Sequence, residues 1–255
     1  MMNLSKIRGG LSIVMDYLAD KLTQWIKAEI QKAGALGAVV GLSGGIDSAV
    51  TAALCKRAFP DHVLGVIMPC FSNPQDAKDA RLVAETLGVP IETVNLDEPF
   101  KWFVHRFTGQ DYDVHCCDMS IVNIKPRLRM ITLYHLAARH NYLVVGTGNR
   151  AELVVGHFTK YGDGGVDLLP IANLVKCQVK ELAEELGIPR RIIDKAPSAG
   201  LWFDHCDEKE MGVTYKDLDH YILTEEGPEE VKEIIQNLER KREHKKFLPP
   251  IPPVF

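Results

Sequence analysis

The chain has 255 residues, 46% of them hydrophobic and 25% charged, so it can bury a sizeable core as one large domain or two small ones. Its 30 basic residues stand against 34 acidic ones, and a net charge of −4 leaves no electrostatic footprint for nucleic acid. No run approaches the roughly 18 apolar residues of a membrane span, and residues 1–10 lack the apolar centre of a secretory signal. The six cysteines (Cys55, Cys70, Cys116, Cys117, Cys177, Cys206) show no C-x-x-C or framework spacing and read as reduced thiols of a cytoplasmic protein.

In chain order, apolar residues recur at helical spacing from Ile13 to Ala33 (Val14, Leu18, Leu22, Trp25, Ile26, Ile30), with Gly34 as C-cap. A β-branched run then ends at Gly41-Leu42, and a helix is predicted over Ser48–Ala58. Val63–Met68 predicts a second strand, stopped by Pro69. Asn73-Pro74 starts a helix through Leu87, closed by Gly88 and Pro90. Ile91–Leu96 is a third strand. A long helix from about Val122 to His140 precedes a fourth strand, Leu143–Gly146. Strands alternating with helices of ten or more residues predict βαβ units: a doubly wound, parallel α/β sheet with helices on both faces, whose ligands sit at the carboxyl ends of the strands. Further on come a loop (His157–Leu169), a helix from about Val175 to Leu186, an irregular stretch (Pro189–Leu201), a charged helix from about Pro228 to His244, and an extended proline-rich tail, Leu248–Pro253. No internal repeat is evident, and residues 1–255 are read as one domain.

The chemistry gathers at the end of the first strand, in Gly41-Leu42-Ser43-Gly44-Gly45-Ile46-Asp47-Ser48. A glycine pair lets backbone N–H groups converge on one concavity, and a following helix N-terminus adds unpaired donors and partial positive charge, which suits phosphate. Ser43 and Ser48 offer hydroxyls. Asp47 is out of place beside bare phosphate and calls for a cation, Mg²⁺ above all. The loop is neither Walker-type nor Gly-x-Gly-x-x-Gly; Ser-Gly-Gly-x-Asp-Ser after a strand resembles the loop of the ATP pyrophosphatases of the adenine-nucleotide α-hydrolase type, which cleave ATP to AMP and pyrophosphate.

A second glycine loop, Gly146-Thr147-Gly148-Asn149-Arg150-Ala151-Glu152, follows the fourth strand. Glu152, on the first turn of the next helix, either shares a cation with Asp47 or serves only as an N-terminal helix charge. Arg127 and Arg129 open the long middle helix, the end unfavourable to cations, so at least one should have an anionic partner; two solvated arginines are the plain alternative. Thr159–Asp167 is a glycine-rich acidic loop: a surface turn, a weak Ca²⁺ loop, or a place where Lys160 and Asp167 bind a second polar ligand.

These segments, with Pro-Arg-Leu-Arg-Met (126–130), Lys-Tyr-Gly-Asp-Gly (160–164), Pro-Ser-Ala-Gly-Leu-Trp (197–202), Asp207-Glu208 and His244-Lys245, occur in one order that resembles the NAD synthetases of the ammonia-dependent type, over essentially the whole chain. The resemblance implies that Gly41–Ser48 (Gly41, Leu42, Ser43, Gly44, Gly45, Ile46, Asp47, Ser48), Thr147, Lys176 and Ser198 contact ATP, and that Asp47 and Glu152 hold Mg²⁺. It implies that Arg127, Lys160, Asp167, His244 and Lys245 contact deamido-NAD, with Asp47, Ser48 and Lys176 nearest the chemistry. It further implies a homodimer and an amidation driven by ATP through an acyl-adenylate. Free ammonia is the expected nitrogen source, with no glutaminase domain in the sequence; a separate glutaminase subunit is not indicated. Two departures stand out: His205 where the family often has Gln, and Lys246 where a third basic residue is commonly Arg, which removes the planar fork. His115-Cys116-Cys117 and His205-Cys206 lack any familiar zinc spacing and are read as loop residues. Two other readings share the loop: an RNA-thiolating enzyme, which wants a cysteine pair and a basic surface, and a non-catalytic nucleotide-binding module.

Overall fold

Four parallel strands in the order β3-β2-β1-β4 form the sheet: β1 (Gly37–Gly41), β2 (Val63–Ile67), β3 (Ile91–Thr93) and β4 (Tyr142–Val144). The structure is a computed structural model and describes residues 4–202 and 206–254. Ala38 pairs with Val63 on one side of β1 and Gly37 with Tyr142 on the other, while Gly65 of β2 pairs with Ile91. Chain order runs outward from β1 to β3 and then returns to β1's other side. The order therefore reverses between β1 and β4, the place where a crevice opens at the strand ends.

Alternation along β1 assigns its two faces. Ala38 and Val40 enter a core shared with Ile26 and Ile30 of α1 (Leu4–Lys32) and with Leu54 of α2 (Ile46–Ala58). Also in it are Val83 of α3 (Pro74–Leu87), Leu182 of α8 (Lys176–Glu185) and Ile192 of α9 (Arg190–Ile193). Val39 points the other way, into a core with Phe100 of α4 (Asp97–Thr108) and Leu136 of α6 (Ile124–His140). Helices thus cover both faces, as the alternating pattern predicted. Full burial of an Ile or Leu side chain contributes about 2 kcal/mol, so these two layers carry most of the fold.

The local signals acted where they were legible. Asn73 accepts from Gln75 N–H at 2.9 Å, Pro74 starts α3, and Gly88 ends it with φ 62°. The predicted middle helix is divided at Asn123 into α5 (Met119–Val122) and α6. α2 begins at Ile46, two residues earlier than expected, so Asp47 and Ser48 both lie in its first turn. β3 is shorter than the predicted 91–96, although Val94 N–H and Leu96 N–H still donate to Ile67 O and Pro69 O beyond its end. β4 ends at Val144, and Val145 continues only as a parallel bridge to Leu168. On α1, Val14 and Trp25 belong to the exposed face and not to the core stripe assigned to them. Residues 248–253 form neither helix nor strand, as proline dictates, and are exposed.

Two helices of ten or more residues escaped the sequence reading, as did the short α10 (Asp207–Met211), and α9 stands in the stretch read as irregular. α4 carries exposed Trp102 and Phe107, which blur an otherwise regular Phe100/Val104 stripe. α11 (Tyr215–Thr224) packs with α7 (Arg150–Val155) and α12 (Glu229–Arg242) in a third apolar cluster holding Val155, Tyr215, Leu218 and Ile235. No helix among the described residues is long and apolar enough to cross a membrane.

Candidate active site

Leu42 N–H extends β1 by donating to Val66 O at 2.8 Å, and the buried Leu42 side chain presses onto Gly65. The chain then turns through Ser43-Gly44-Gly45. Gly44 has φ +77°, and a Cβ there would lie 2.4 Å from Asp76 O of α3, so only glycine fits. Gly45 is the N-cap of α2, extended, with no side chain to cap. The hydroxyls close the loop on itself. Ser48 Oγ donates to Gly45 O (2.9 Å) and accepts from Ser43 N–H (3.3 Å). Ser43 Oγ accepts from Gly45 N–H at 3.2 Å and lies 3.1 Å from Ser48 Oγ. Ser43 is exposed and Ser48 buried, so a ligand would meet Ser43 first.

Asp47, on the first turn of α2, accepts from the Lys176 ammonium at 2.5 Å and from Asn149 Nδ2 at 3.1 Å. These contacts tie the ends of β1 and β4 to the start of α8. Asn149 also accepts from Glu152 N–H while the Glu152 carboxylate accepts from Asn149 N–H, each at 3.0 Å, a reciprocal cap at the start of α7. Burial, with the Asp47 charge second, pushes the Glu152 carboxyl up to about 8 against the pull of Lys176. The Lys176 ammonium bonds Asp47, and Glu152 feels its charge without a direct contact. Lys176 is buried, which by itself would lower its pKa, but Asp47 and Glu152 outweigh that and raise it.

Lys176 is held from behind by residues the sequence reading missed. Asp219 of α11 accepts from Lys176 N–H (3.1 Å) and Cys177 N–H (2.7 Å), capping α8 from another helix. The Lys176 ammonium also lies 5.0 Å from the centre of the Tyr215 ring. Tyr215 O–H in turn donates to Asp207, and Asp207 accepts from Ala199 N–H at 2.8 Å, anchoring the segment that carries Ser198. Ser198 itself is exposed and accepts from Gly200 N–H, and Thr147 is half-buried between β4 and α7.

A second group forms beside α7. Lys160 Nζ donates to His244 O (2.7 Å), Arg127 donates to Lys160 O (3.4 Å), and Lys245 Nζ donates to Gly156 O (3.0 Å) and Phe158 O (2.8 Å). Arg127, Lys160, His244 and Lys245, 118 positions apart at the extremes, thus meet in one place. Asp167 stands elsewhere: its oxygens accept from Tyr134 O–H (3.0 Å) and Val144 N–H (2.8 Å), joining α6 to the end of β4. The expected anionic partner of Arg127 or Arg129 is not found among the described residues. Arg129 donates to Met68 O and Ser72 Oγ, and Arg127 to carbonyls, because the strand-end and loop carbonyls reach them first. No group of three metal-ligating side chains occurs among the described residues, and His205 lies outside them.

A donor-rich loop at a strand–helix junction, beside paired carboxylates and a buried lysine on a parallel α/β sheet, defines a nucleotide-using ligase. The family model for NAD synthase matches residues 18–249, and the chain belongs to that family. An NH3-dependent NAD+ synthetase of Carboxydothermus hydrogenoformans is 54% identical over 234 residues, covering 91% of this chain and 96% of the relative. Among solved structures, an NMN synthetase from Francisella tularensis superposes with a TM-score of 0.87 at 36% identity, covering 93% of this chain and 98% of that one. An NH3-dependent NAD synthetase from Campylobacter jejuni gives 0.75 at 29% identity, covering 94% and 99%.

Proposed function

We propose that the chain forms the amide of a nicotinate nucleotide from ammonia and ATP by way of an acyl-adenylate. The observation that carries this reading is the Asp47–Lys176 contact, with Glu152 beside it, at the mouth of the phosphate loop. In the first step a nicotinate carboxylate oxygen attacks the α-phosphorus, the bond to the β-phosphate oxygen breaks, and pyrophosphate leaves. Ammonia then attacks the acyl carbon, AMP departs with the C–O bonding pair, and the surplus proton passes to water. No side-chain nucleophile is needed. The work is placement and charge neutralisation.

The residues supply that. N–H groups of the turn after Leu42, through Ser48, with the Ser43 and Ser48 hydroxyls, cradle the phosphates; Thr147 and Ser198 border the same nucleotide. Lys176 balances the charge that builds on the α-phosphate. The carboxyl of Glu152, raised by burial and by the charge of Asp47, and the carboxylate of Asp47 fit Mg²⁺, which takes one or two carboxylates plus phosphate oxygens. Bound there, Mg²⁺ would neutralise the phosphate oxygens and favour departure of pyrophosphate. Arg127, Lys160, His244 and Lys245 form the basic cluster suited to the nicotinate nucleotide; Asp167, apart from them, is not assigned to it.

Deamido-NAD is the proposed substrate. The closer superposition on an NMN synthetase supports a second reading, in which the mononucleotide is amidated by the same chemistry. Initial rates with ammonium, ATP, Mg²⁺ and each nicotinate nucleotide decide between them. AMP and amide in equal amounts from deamido-NAD support the first, and a preference for the mononucleotide the second. AMP formation that depends on neither nucleotide refutes both. Val14, Tyr17 and Trp25 on α1, exposed at 58%, 64% and 41%, supply an apolar face for a homodimer, which light scattering tests.

A further inference from the structure

Lys195 takes no part in the reading above, yet it touches the phosphate loop. Its ammonium donates to Gly44 O (3.2 Å), Asp76 Oδ1 (2.8 Å) and Asp79 Oδ2 (2.8 Å). Asp79 is 4% exposed, and its other oxygen accepts from Arg191 and Gln75 at 2.9 Å each. Two cations meet two carboxylates, so the cluster has little net charge with which to attract phosphate. What it has is position. Gly44 already sits against Asp76 O and the Asp79 Cβ, and Lys195 fastens that contact from the other side. Fixing the Gly44 carbonyl fixes the plane of the 44–45 peptide, and so the direction of the Gly45 N–H, which now meets Ser43 Oγ. Lys195 also lies three residues before Ser198, so one side chain joins the phosphate loop to the second loop that borders the nucleotide.

We propose that Lys195 is a positioning residue for ATP: it locks the Gly44 carbonyl to α3 and so aims the loop's N–H groups before the nucleotide arrives. This rests on the reading of residues 41–48 as the ATP loop.

The test is calorimetric titration of the full chain with Mg²⁺ and ATP, and separately with the nicotinate nucleotide. Lys195→Met should weaken ATP about tenfold, the worth of a hydrogen bond to a charged group, and leave the nicotinate nucleotide unchanged. Lys195→Arg, which can still donate to both carboxylates, should recover most of the loss. Asp76→Asn, at a half-buried position and of the same shape, should weaken ATP in the same sense. Unchanged ATP binding by Lys195→Met, or equal weakening of both ligands, would overturn the brace. Tighter ATP binding by Asp76→Asn would also do so, because it would mean that a released Lys195 grips phosphate directly. A wild-type chain that binds no ATP would overturn the reading of the loop and the brace together.

Discussion

Replacing Gly44 by alanine puts a methyl group where there is no room for one. The residue has φ +77°, which costs an L side chain about 1–2 kcal/mol, and its Cβ would lie 2.4 Å from Asp76 O and 3.0 Å from the Asp79 Cβ. The backbone oxygen cannot swing aside, so α3 or the loop must shift, at the 1–3 kcal/mol typical of overpacking. Together these come to about 2–5 kcal/mol, or a fall in melting temperature of about 5–15 °C for a chain of this size. Gly45, next in sequence, makes the control. Its φ is −97°, its Cβ would meet only the rotatable Ser43 Oγ at 3.3 Å, and Gly45→Ala should lose no more than about 3 °C. Thermal melts of both variants beside wild type are sufficient. A Gly44→Ala protein that melts within about 2 °C of wild type, or a Gly45→Ala protein that melts below the Gly44→Ala protein, would refute the steric account of the loop.

Four further outcomes follow from the same geometry. Asp47→Asn keeps an oxygen for Lys176 and should fold, but lose adenylation; pyrophosphate release at the wild-type rate would remove Asp47 from the chemistry. Asp219→Ala strips the acceptor from Lys176 N–H and Cys177 N–H, so kcat should fall about tenfold or more through misplacement of Lys176, with Asp219→Asn intermediate in steady-state assays. Lys245→Met frees the carbonyls of Gly156 and Phe158 and should raise the KM for the nicotinate nucleotide about tenfold with little change for ATP; equal changes in both KM values would contradict the separation of the two clusters. Asp79 gives the acid limb of stability. Burial alone would raise its pKa, but hydrogen bonds from Lys195 and Gln75 and the charges of Lys195 and Arg191 hold it below the usual value. The unfolded chain then binds that proton more readily, so the stabilisation is full above about pH 4 and is lost as pH falls through the lowered pKa. Urea midpoints between pH 5 and 3 should fall less steeply for Asp79→Asn than for wild type.

What the sequence made legible was contiguous. The glycine-pair loop, its strand and its helix sit in 22 consecutive residues (37–58), and Glu152 stands on the first turn of the helix after the second glycine loop, as read; its reciprocal cap with Asn149 was not foreseen. The parallel sheet followed from helices long enough to cross between strands. What stayed hidden was assembled across distance. Asp219 caps α8 from 43 positions away, and Lys195 meets Gly44 from 151 positions away; no local pattern announces either. α11 was missed because charged residues alternate with its buried Tyr215 and Leu218, and its apolar face matters only once α7 and α12 stand opposite. For Arg129 the helix-end rule correctly asked for an acceptor, but it could not foresee that strand-end carbonyls would answer before a carboxylate.

The close approach at Gly156 bears on how such an enzyme changes over generations. A Cβ there would lie 2.5 Å from the Arg242 Cβ, and Lys245 ties the same carbonyl, so the last turn of α12 is seated on this one glycine. The phosphate loop, Glu152 and Lys176 all precede residue 180, whereas His244 and Lys245 come from the final dozen positions of the chain. Selection can therefore revise what residues 244 and 245 grip without disturbing the groups proposed for ATP. Gly156 is the contact that arrangement depends on: any side chain there would unseat α12.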